Sequence, residues 1–550
     1  MSQSQKMTEA IDLIDQVLKR RLSENLGPGL SLALTTKDEL IATRTYGVAN
    51  EDSGEAVRED TLFQIGSITK HFTAVACMRL FEQGKLDPQA AITEHLDWFQ
   101  VQSRFETPIT IHHLLTHTSG LVMMMDCYPS SWWQVWALRD TELGFEPGAK
   151  FSYSNVGYNV LQCVIQTITG LSFDAALRDL IFDPLGMKDA FGEVITDIYE
   201  RIAKGHKFSA YDDRPDSRPE KQTVVNWYEI SQGCASVCTT SAGLATFLRM
   251  LLSRGKAEDG TLFLQADTFE LLTTPHVVME GFFKGTSQGY GVIIEQSDDT
   301  NDRPRIIGGG ENLGFEAGMY GDFDTGVGAV LFCNSFDTHW SEMKWIMKVL
   351  LAATQGIDLP VWSQEAPADA TVLGERASEY IGTYCAGERS FVIAEEGGRL
   401  KFTASQQSVF LEPQWGDNFL VPHPEFKHAM LSFGRSEDEK VVEAFQLGMW
   451  YRNEAYVGPE SYEVPSEWGS YVGHYRSFGI LVTNFKIFVR KGKLMCQLYS
   501  GYVDQELTDL GDEWFRIGGE TSPERITFDS FANGKALRCR AWGGEYYRVG

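Results

Sequence analysis

Two stretches near the C-terminus repeat one another, and this repeat limits the folds open to the last third of the chain. Tyr380-Ile381-Gly382-Thr383-Tyr384 returns as Tyr471-Val472-Gly473-His474-Tyr475, and Gly448-Met449-Trp450-Tyr451-Arg452 returns as Gly544-Glu545-Tyr546-Tyr547-Arg548. The distance between the copies grows only from 91 to 96 residues. Both copies consist of short β-like runs separated by turn residues. The repeat therefore predicts two related all-β modules of about eight strands, each a small closed barrel.

The repeat occupies only the last part of the 550 residues, so the residues before it form at least one further domain. A chain of this length is too long for a single hydrophobic core. Residues 356–373 contain prolines and few regularly spaced apolar residues, which is typical of a linker. We predict a large N-terminal domain over 1–355, a linker over 356–373, a first β-module over 374–458, a second linker over 459–467 and a second β-module over 468–550.

Composition excludes several classes of partner. The 48 Lys and Arg residues are outnumbered by 75 Asp and Glu residues, and the net charge of −27 argues against nucleic acid or an anionic membrane. The nine cysteines are scattered and odd in number, which fits a reducing compartment. Only Cys234 and Cys238 lie close together, and without further ligands at metal spacing we expect no zinc. The N-terminus lacks a signal-peptide pattern, so we expect a cytoplasmic protein.

The stretch from Phe63 to Lys70 carries the clearest chemical signal. Ser67 follows a glycine and precedes an apolar run with helical spacing from His71 to Leu80. One helical turn separates Ser67 from Lys70, so both side chains project from the same face, and the start of the helix offers N–H groups to a developing oxyanion. A buried Lys70 would then help to deprotonate Ser67. Ser341 and Lys344 have the same spacing in the middle of another apolar helix, where we predict a solvated turn without chemistry.

Three other stretches contain candidate site residues. Tyr153-Ser154-Asn155 follows the turn Glu146-Pro147-Gly148, and Gly308-Gly309-Gly310 lies in a strand-like run. Three glycines allow a strand edge to approach a substrate or another backbone, although a bulge or hairpin turn explains them equally well in isolation. His113 and His117 are four residues apart, but no third ligand is in view, so we predict a structural role for both.

Taken together and in this order, these motifs resemble those of the penicillin-recognising serine hydrolases. The resemblance to the class C β-lactamase and D-alanyl carboxypeptidase group covers residues 10–352, and the paired C-terminal modules are most similar to the bacterial D-stereospecific aminopeptidases. It implies an α/β domain, in which an antiparallel sheet flanked by helices faces an all-helical lobe across the site. Two antiparallel, lipocalin-like β-barrels follow. A homodimer is also suggested.

The resemblance further implies a role for each motif residue. Ser67 is the nucleophile, Lys70 its partner, and Tyr153 the base for acylation, the acid for the leaving group and the activator of the deacylating water. A phenol normally ionises near pH 10, so this role needs a neighbouring cation such as Lys70. Asn155 is expected to bind the substrate amide or Lys70. The backbone N–H groups of Ser67 and Glu311 form the oxyanion hole, and no metal or organic cofactor is expected.

The chain departs from the family pattern in two places. Most relatives carry Lys or His where this chain has Gly308, while Gly310 matches the family glycine. The loss of that cation weakens the case for a β-lactamase or carboxypeptidase, whose substrates present a carboxylate there. In the aminopeptidases a loop of the last module offers an acidic residue to the substrate amine, but residues 474–482 contain no Asp or Glu. We therefore expect uncharged or apolar acyl groups, with Phe478 and Ile480 lining the pocket, or else a loop that only packs the barrel.

These observations favour an acyl-serine hydrolase of small amides, esters or D-residue peptides. A carboxylesterase of the same fold is the second hypothesis, because the missing cation and the uncharged loop both favour it. A non-catalytic, penicillin-binding-like sensor is the third. The intact Ser67, Lys70 and Tyr153 argue against the sensor, since a protein released from catalysis has no reason to keep all three.

Overall fold

A computed structural model gives the fold of most of the chain. The residues it describes are 3–23, 27–125, 130–207, 223–225, 227–279, 285–296, 304–335, 340–362, 373–413, 416–426, 430–446, 448–477, 482–498 and 504–549. The chain divides into two compact units, of which the first contains residues 1–208 and 222–362 and the second contains residues 363–550. The domain boundaries derived from composition stay predictions.

Helices in the first unit bury apolar faces against a central sheet or against one another. They are α1 (Gln3–Ser23), α2 (Thr69–Glu82), α3 (Ile111–Leu115), α4 (Ser131–Ala137), α5 (Asn155–Thr169), α6 (Phe173–Leu177), α7 (Ser241–Leu252), α8 (Ala266–Thr273) and α9 (Trp340–Gln355). In the described part of the chain no single helix is long and apolar enough to cross a bilayer, and the only pair that reaches this length together, Asn155–Thr169 with Phe173–Phe182, is bent by 76°.

The strands of the first unit form one large antiparallel sheet and two small ones. They are β1 (Gly29–Thr36), β2 (Leu40–Asn50), β3 (Glu55–Ala56), β4 (Phe63–Gln64), β5 (Ala190–Phe191), β6 (Gly205–Lys207), β7 (Thr223–Val225), β8 (Cys238–Thr239), β9 (Val277–Val278), β10 (Thr286–Gln288), β11 (Ile293–Gln296), β12 (Pro304–Asn312), β13 (Phe315–Asp322) and β14 (Val327–Cys333). The large sheet has the order β3-β2-β1-β14-β13-β12-β11-β10-β9.

Strand β1 shows how this sheet separates two hydrophobic cores. Alternate residues of a strand point to opposite faces. Leu30, Leu32 and Leu34 lie in one core together with apolar residues of α1 and α9, whereas Ala33 belongs to the larger core on the other face. The sheet is therefore covered on both sides, and the larger core continues into the helices around α2 and α5. This is the antiparallel sheet flanked by helices, with an adjoining helical lobe, that the sequence predicts.

The second unit contains the two repeated β-modules. The first module consists of β15 (Gly382–Ala386), β16 (Arg389–Glu396), β17 (Arg399–Ala404), β18 (Gln407–Phe410), β19 (Glu412–Pro413), β20 (Asn418–Leu420), β21 (Met430–Arg435), β22 (Val441–Gln446) and β23 (Met449–Arg452). The second consists of β24 (Gly473–Arg476), β25 (Asn484–Arg490), β26 (Lys493–Leu498), β27 (Gln505–Gly511), β28 (Trp514–Ile517), β29 (Arg525–Ala532), β30 (Lys535–Ala541) and β31 (Gly544–Arg548).

The second module is a closed barrel of eight strands, and the first is a nearly closed one of nine. In the second, β24 pairs with β31 and completes the ring. In the first, β15 pairs with β23, while β18 and β19 are the two ends of the strand order. Both modules share one detail: the Tyr384 hydroxyl donates to the Tyr380 carbonyl at 2.9 Å, and the Tyr475 hydroxyl donates to the Tyr471 carbonyl at 2.7 Å. The repeated tyrosines therefore form the same contact in both copies.

Candidate active site

Ser67 lies in a tight turn that leads into α2. Residues Gly66–Ile68 form one 3₁₀ turn, and the α-helix begins at Thr69. The turn follows β4, which pairs with β8. The pairing is extended by one hydrogen bond, because the Ile65 N–H donates at 3.0 Å to the carbonyl of Val237, the residue before β8. Gly66 has a φ of +50°, which a residue with a side chain adopts only with strain. The glycine before the serine is therefore required by the backbone that presents the hydroxyl.

Strand β12 lies directly against this turn, main chain to main chain. A Cβ atom added to Gly66 would come within 2.5 Å of the Glu311 backbone nitrogen, and one added to Gly310 would overlap the Ile65 carbonyl oxygen. The three-glycine run is thus a regular strand that allows close approach, and not a bulge or a hairpin turn. The contact places the Glu311 backbone beside the serine turn, where the predicted oxyanion hole requires its N–H.

Lys70 is a buried ammonium with three kinds of contact. Its Nζ donates to Ser67 Oγ at 3.0 Å and to the Cys234 carbonyl at 2.9 Å, and it lies 4.9 Å from the centre of the Tyr153 ring. The side chain is almost fully buried, and in the described part of the chain no carboxylate forms an ion pair with it. A buried charge without a counter-ion is costly. Lys70 can recover part of that cost when an anion forms on a neighbouring oxygen.

Two tyrosines lie beside Lys70, and they differ in what their hydroxyls contact. The Tyr153 hydroxyl donates to Ser67 Oγ at 2.9 Å. The Tyr158 hydroxyl instead donates to the Leu115 carbonyl at 2.8 Å, and burial, assisted by nearby Tyr153, raises the pKa of Tyr158 well above its usual value. Tyr158 is therefore a protonated, structural phenol. Tyr153 is the one in position to exchange a proton with the serine.

His117 packs against Tyr153, a contact more specific than the structural role that the sequence predicts for it. Its ring lies 4.4 Å from the Tyr153 ring at an interplanar angle of 28°, and its Nδ1 accepts the backbone N–H of Ser154 at 3.1 Å. Burial, followed by the charge of Lys70, lowers the pKa of His117 well below its usual value. His113, four residues earlier in the motif, contacts a different part of the chain, because its Nδ1 accepts the Thr110 N–H at 3.1 Å.

His71 occupies the space in front of Gly308, a contact that the sequence does not reveal. A Cβ atom on Gly308 would meet the His71 ring and the Met319 methyl group at 3.2 Å. The His71 Nε2 lies 3.3 Å from the Ile307 carbonyl, and burial, with a smaller contribution from the charge of Lys70, lowers the pKa of His71 to about 4. A neutral imidazole therefore lies beside Gly308, the position at which the family resemblance implies Lys or His.

The loop that supplies the Cys234 carbonyl is held by side-chain amides. The Gln64 Nε2 donates to the Glu229 carbonyl at 2.7 Å, the Gln232 Nε2 donates to the Glu229 carboxylate at 2.6 Å, and the Asn312 Nδ2 donates to the Ala235 carbonyl at 3.0 Å. Burial raises the pKa of Glu229 to about 7. This network fixes the acceptor that orients Lys70.

The remaining predicted residues are placed less centrally. Asn155 begins α5 and its backbone N–H donates to the Met123 carbonyl at 2.7 Å, but no described hydrogen bond joins its side chain to Lys70. Phe478 and Ile480 lie outside the described residues. The described ranges contain no group of three or more side chains suited to a metal ion, and their eight cysteines are free thiols.

Comparison with known proteins identifies the family. A family model described as Beta-lactamase matches residues 14–354, which is more than half of the chain. The chain belongs to the β-lactamase family. Membership of this family agrees with the resemblance that the sequence motifs indicated.

Two curated relatives of this β-lactamase-family chain match parts of it. Penicillin-binding protein 4 from Amycolatopsis lactamdurans is 31% identical over 260 residues, which cover 46% of this chain and 66% of that protein. Esterase EstB from Burkholderia gladioli is 33% identical over 196 residues, which cover 32% of this chain and 50% of that protein. The matches therefore span from half to just under two thirds of these relatives.

Solved structures show the same fold at low sequence identity. The octameric penicillin-binding protein homologue from Pyrococcus abyssi matches with a TM-score of 0.58 and 17% identity, covering 89% of this chain and 98% of that one. D-amino acid amidase from Ochrobactrum anthropi SV3 matches with a TM-score of 0.52 and 23% identity, covering 63% of this chain and 99% of that one. At these identities the comparison with this β-lactamase-family chain concerns the fold alone.

Proposed function

We propose that this chain hydrolyses small, uncharged esters and amides, including N-acylated D-amino-acid amides, through an acyl-enzyme on Ser67. One observation carries the proposal: Ser67 Oγ lies 3.0 Å from Lys70 Nζ and 2.9 Å from the Tyr153 hydroxyl. A proton acceptor and a cation are thus each within hydrogen-bonding distance of the nucleophile, as covalent catalysis by a serine requires.

Acylation begins with attack of Ser67 Oγ on the substrate carbonyl. In the reactive form Tyr153 has released its hydroxyl proton to solvent, and the ammonium of Lys70 stabilises the resulting phenolate. This phenolate then takes the proton of Ser67 Oγ. The negative charge that develops on the carbonyl oxygen is held by the backbone N–H groups of Ser67 and Glu311. Since Glu311 lies against the turn through Gly66, both donors belong to a rigid part of the fold and need no rearrangement.

Tyr153 then returns its proton to the leaving group. The bond between the carbonyl carbon and the leaving oxygen or nitrogen breaks, and the acyl group stays on Ser67. In the second half of the cycle Tyr153 takes a proton from water, the resulting hydroxide attacks the ester carbonyl, and the proton returns to Ser67 Oγ. Tyr153 therefore acts twice as base and twice as acid in one turnover.

The preference for uncharged substrates follows from the wall of the site that β12 forms at Gly308 and Gly310. Gly308 and Gly310 present no side chains on the face of β12 that contacts the nucleophile turn, and the nearest polar ring, that of His71, is neutral. A substrate carboxylate beside Gly308 would face the neutral His71 ring and the Met319 methyl group. The similarity to an esterase supports ester hydrolysis as the second, narrower candidate function.

Intact-protein mass spectrometry with parallel product assays tests the proposal. The purified chain is mixed with p-nitrophenyl butyrate, or with N-acetylated and free D-phenylalanine amide. We expect a product burst and a transient adduct on Ser67, and turnover of the N-acetylated amide at least as fast as that of the free amine. Ser67→Ala should abolish both signals. Ser341→Ala is the matched control, because its serine has the same spacing to a lysine but is exposed on α9.

Four outcomes would contradict the proposal. Turnover that survives in Ser67→Ala, or an adduct on another residue, would exclude the assigned nucleophile. A stable adduct without turnover would favour the sensor. A clear preference for the free amine would contradict the substrate class while leaving the covalent mechanism intact.

A further inference from the structure

His117 occupies a strained turn at the end of the short helix α3. Its φ is +57°, in the left-handed region that residues with a side chain seldom adopt, at a cost of about 1 kcal/mol or more. The residue is also almost fully buried. Such a conformation persists only where the surroundings favour it. The feature that gains from it is the segment around Tyr153.

Three consecutive residues of that segment are fixed by His117. The Ser152 N–H donates to the His117 carbonyl at 2.7 Å, and the Ser154 N–H donates to the His117 Nδ1 at 3.1 Å. Between them, the Tyr153 ring stacks on the imidazole with centroids 4.4 Å apart. One residue therefore sets both the backbone on each side of Tyr153 and the plane of its ring.

The ring of His117 is neutral in this arrangement. An Nδ1 that accepts an N–H uses its lone pair, so the ring proton is on Nε2. Burial and the charge of Lys70 both oppose a second proton. The imidazole thus adds no positive charge beside the Tyr153 phenol, and Lys70 remains the cation that contacts both Tyr153 and Ser67.

We infer that His117 is a positioning residue that holds Tyr153 in place to protonate the leaving group, an inference that rests on the proposed role of Tyr153. Stacking determines where the phenol oxygen lies, and the two backbone hydrogen bonds prevent the segment from shifting. Small displacements of a proton donor matter most when the leaving group is a poor one, because a good leaving group departs as an anion without protonation.

Leaving-group dependence separates this role from simple structural support. His117→Asn keeps an acceptor and tolerates the left-handed turn but loses the ring, whereas His117→Phe keeps a stacking ring but loses the acceptor. In both variants kcat/KM should fall on every substrate, because Tyr153 is also the base, and we expect the fall on an ethyl ester or amide to be about 30-fold larger than that on the matching p-nitrophenyl ester. His113→Asn, in the same motif, should change neither value by more than about twofold. Active sites are counted by the burst with the aryl ester.

A double variant distinguishes failure of this inference from failure of the proposed function. Tyr153→Phe alone should show the same leaving-group dependence, and adding His117→Asn to it should cause no further change in selectivity. If Tyr153→Phe affects all leaving groups equally, the acid role of Tyr153 is wrong. If the effect of Tyr153→Phe depends on the leaving group but the His117 variants lose activity equally with all leaving groups, His117 does not act through Tyr153 and the inference fails. The inference also fails if adding His117→Asn to Tyr153→Phe changes the leaving-group dependence further.

Discussion

Gly310→Ala tests the main-chain contact on which the site depends. The new Cβ would overlap the Ile65 carbonyl oxygen and lie 3.0 Å from the Ile68 backbone nitrogen, so the turn and β12 must separate by more than about 1 Å to restore ordinary contact. A misplacement of about 1 Å in a catalytic group costs on the order of 100-fold in rate. We therefore expect kcat/KM to fall about 100-fold, which corresponds to about 2.7 kcal/mol of transition-state stabilisation.

Gly308→Ala is the matched control on the same strand and the same face. Its Cβ would meet the ends of two side chains, those of His71 and Met319, at 3.2 Å, and these can move by a few tenths of an ångström. We expect kcat/KM for an activated ester to change less than about threefold. Both variants are compared at equal burst amplitude and after circular dichroism confirms folding. Equal activity of Gly310→Ala and wild type, or equal damage in both variants, would refute the reasoning.

Three further predictions concern charge. Lys70→Met removes the cation that contacts the nucleophile, so kcat/KM should fall about 1000-fold in steady-state assays, and a loss under tenfold would contradict its role. Burial raises the pKa of Glu229 to about 7, so its stabilising contribution is complete below about pH 4.5 and is lost as the pH rises through 7. The Tm of Glu229→Gln relative to that of wild type should therefore be higher at pH 8 than at pH 5. An equal difference in Tm at both pH values would contradict this. Arg435 donates to both carboxylate oxygens of Asp417. Asp417→Asn should therefore lower the free energy of unfolding in urea by about 1.5 kcal/mol, and an unchanged unfolding midpoint would refute this prediction.

The sequence predicts much of the fold because the relevant signals are local. The helix after Ser67 follows from apolar periodicity, and it is present. The repeat predicts paired barrels, and the shared tyrosine contact of the two copies supports it. The strand count of the first module and its gap between β18 and β19 were not predicted, because closure depends on edge strands meeting in space.

The site was predictable only in part for the same reason. The spacing of Ser67 and Lys70 places them together on one turn, whereas Tyr153 joins them through tertiary structure that only the family resemblance indicated. His117 and His71 were missed as site residues because each acts on a partner distant in sequence, the Tyr153 segment and Gly308 respectively. His117 itself was the available signal, since the sequence predicts a structural role for it, but nothing in the sequence identifies Tyr153 as its partner.

The wall formed by β12 and the nucleophile turn also affects how such an enzyme can diversify. Where Gly310 meets Ile65, main chain faces main chain, so no exchange of one side chain can reshape the wall without displacing the reactive serine. Gly308 is different, because the space before it is filled by the replaceable side chains of His71 and Met319. Laboratory evolution toward anionic substrates should therefore vary these three positions together, since a new side chain at 308 becomes accessible only after its neighbours shrink.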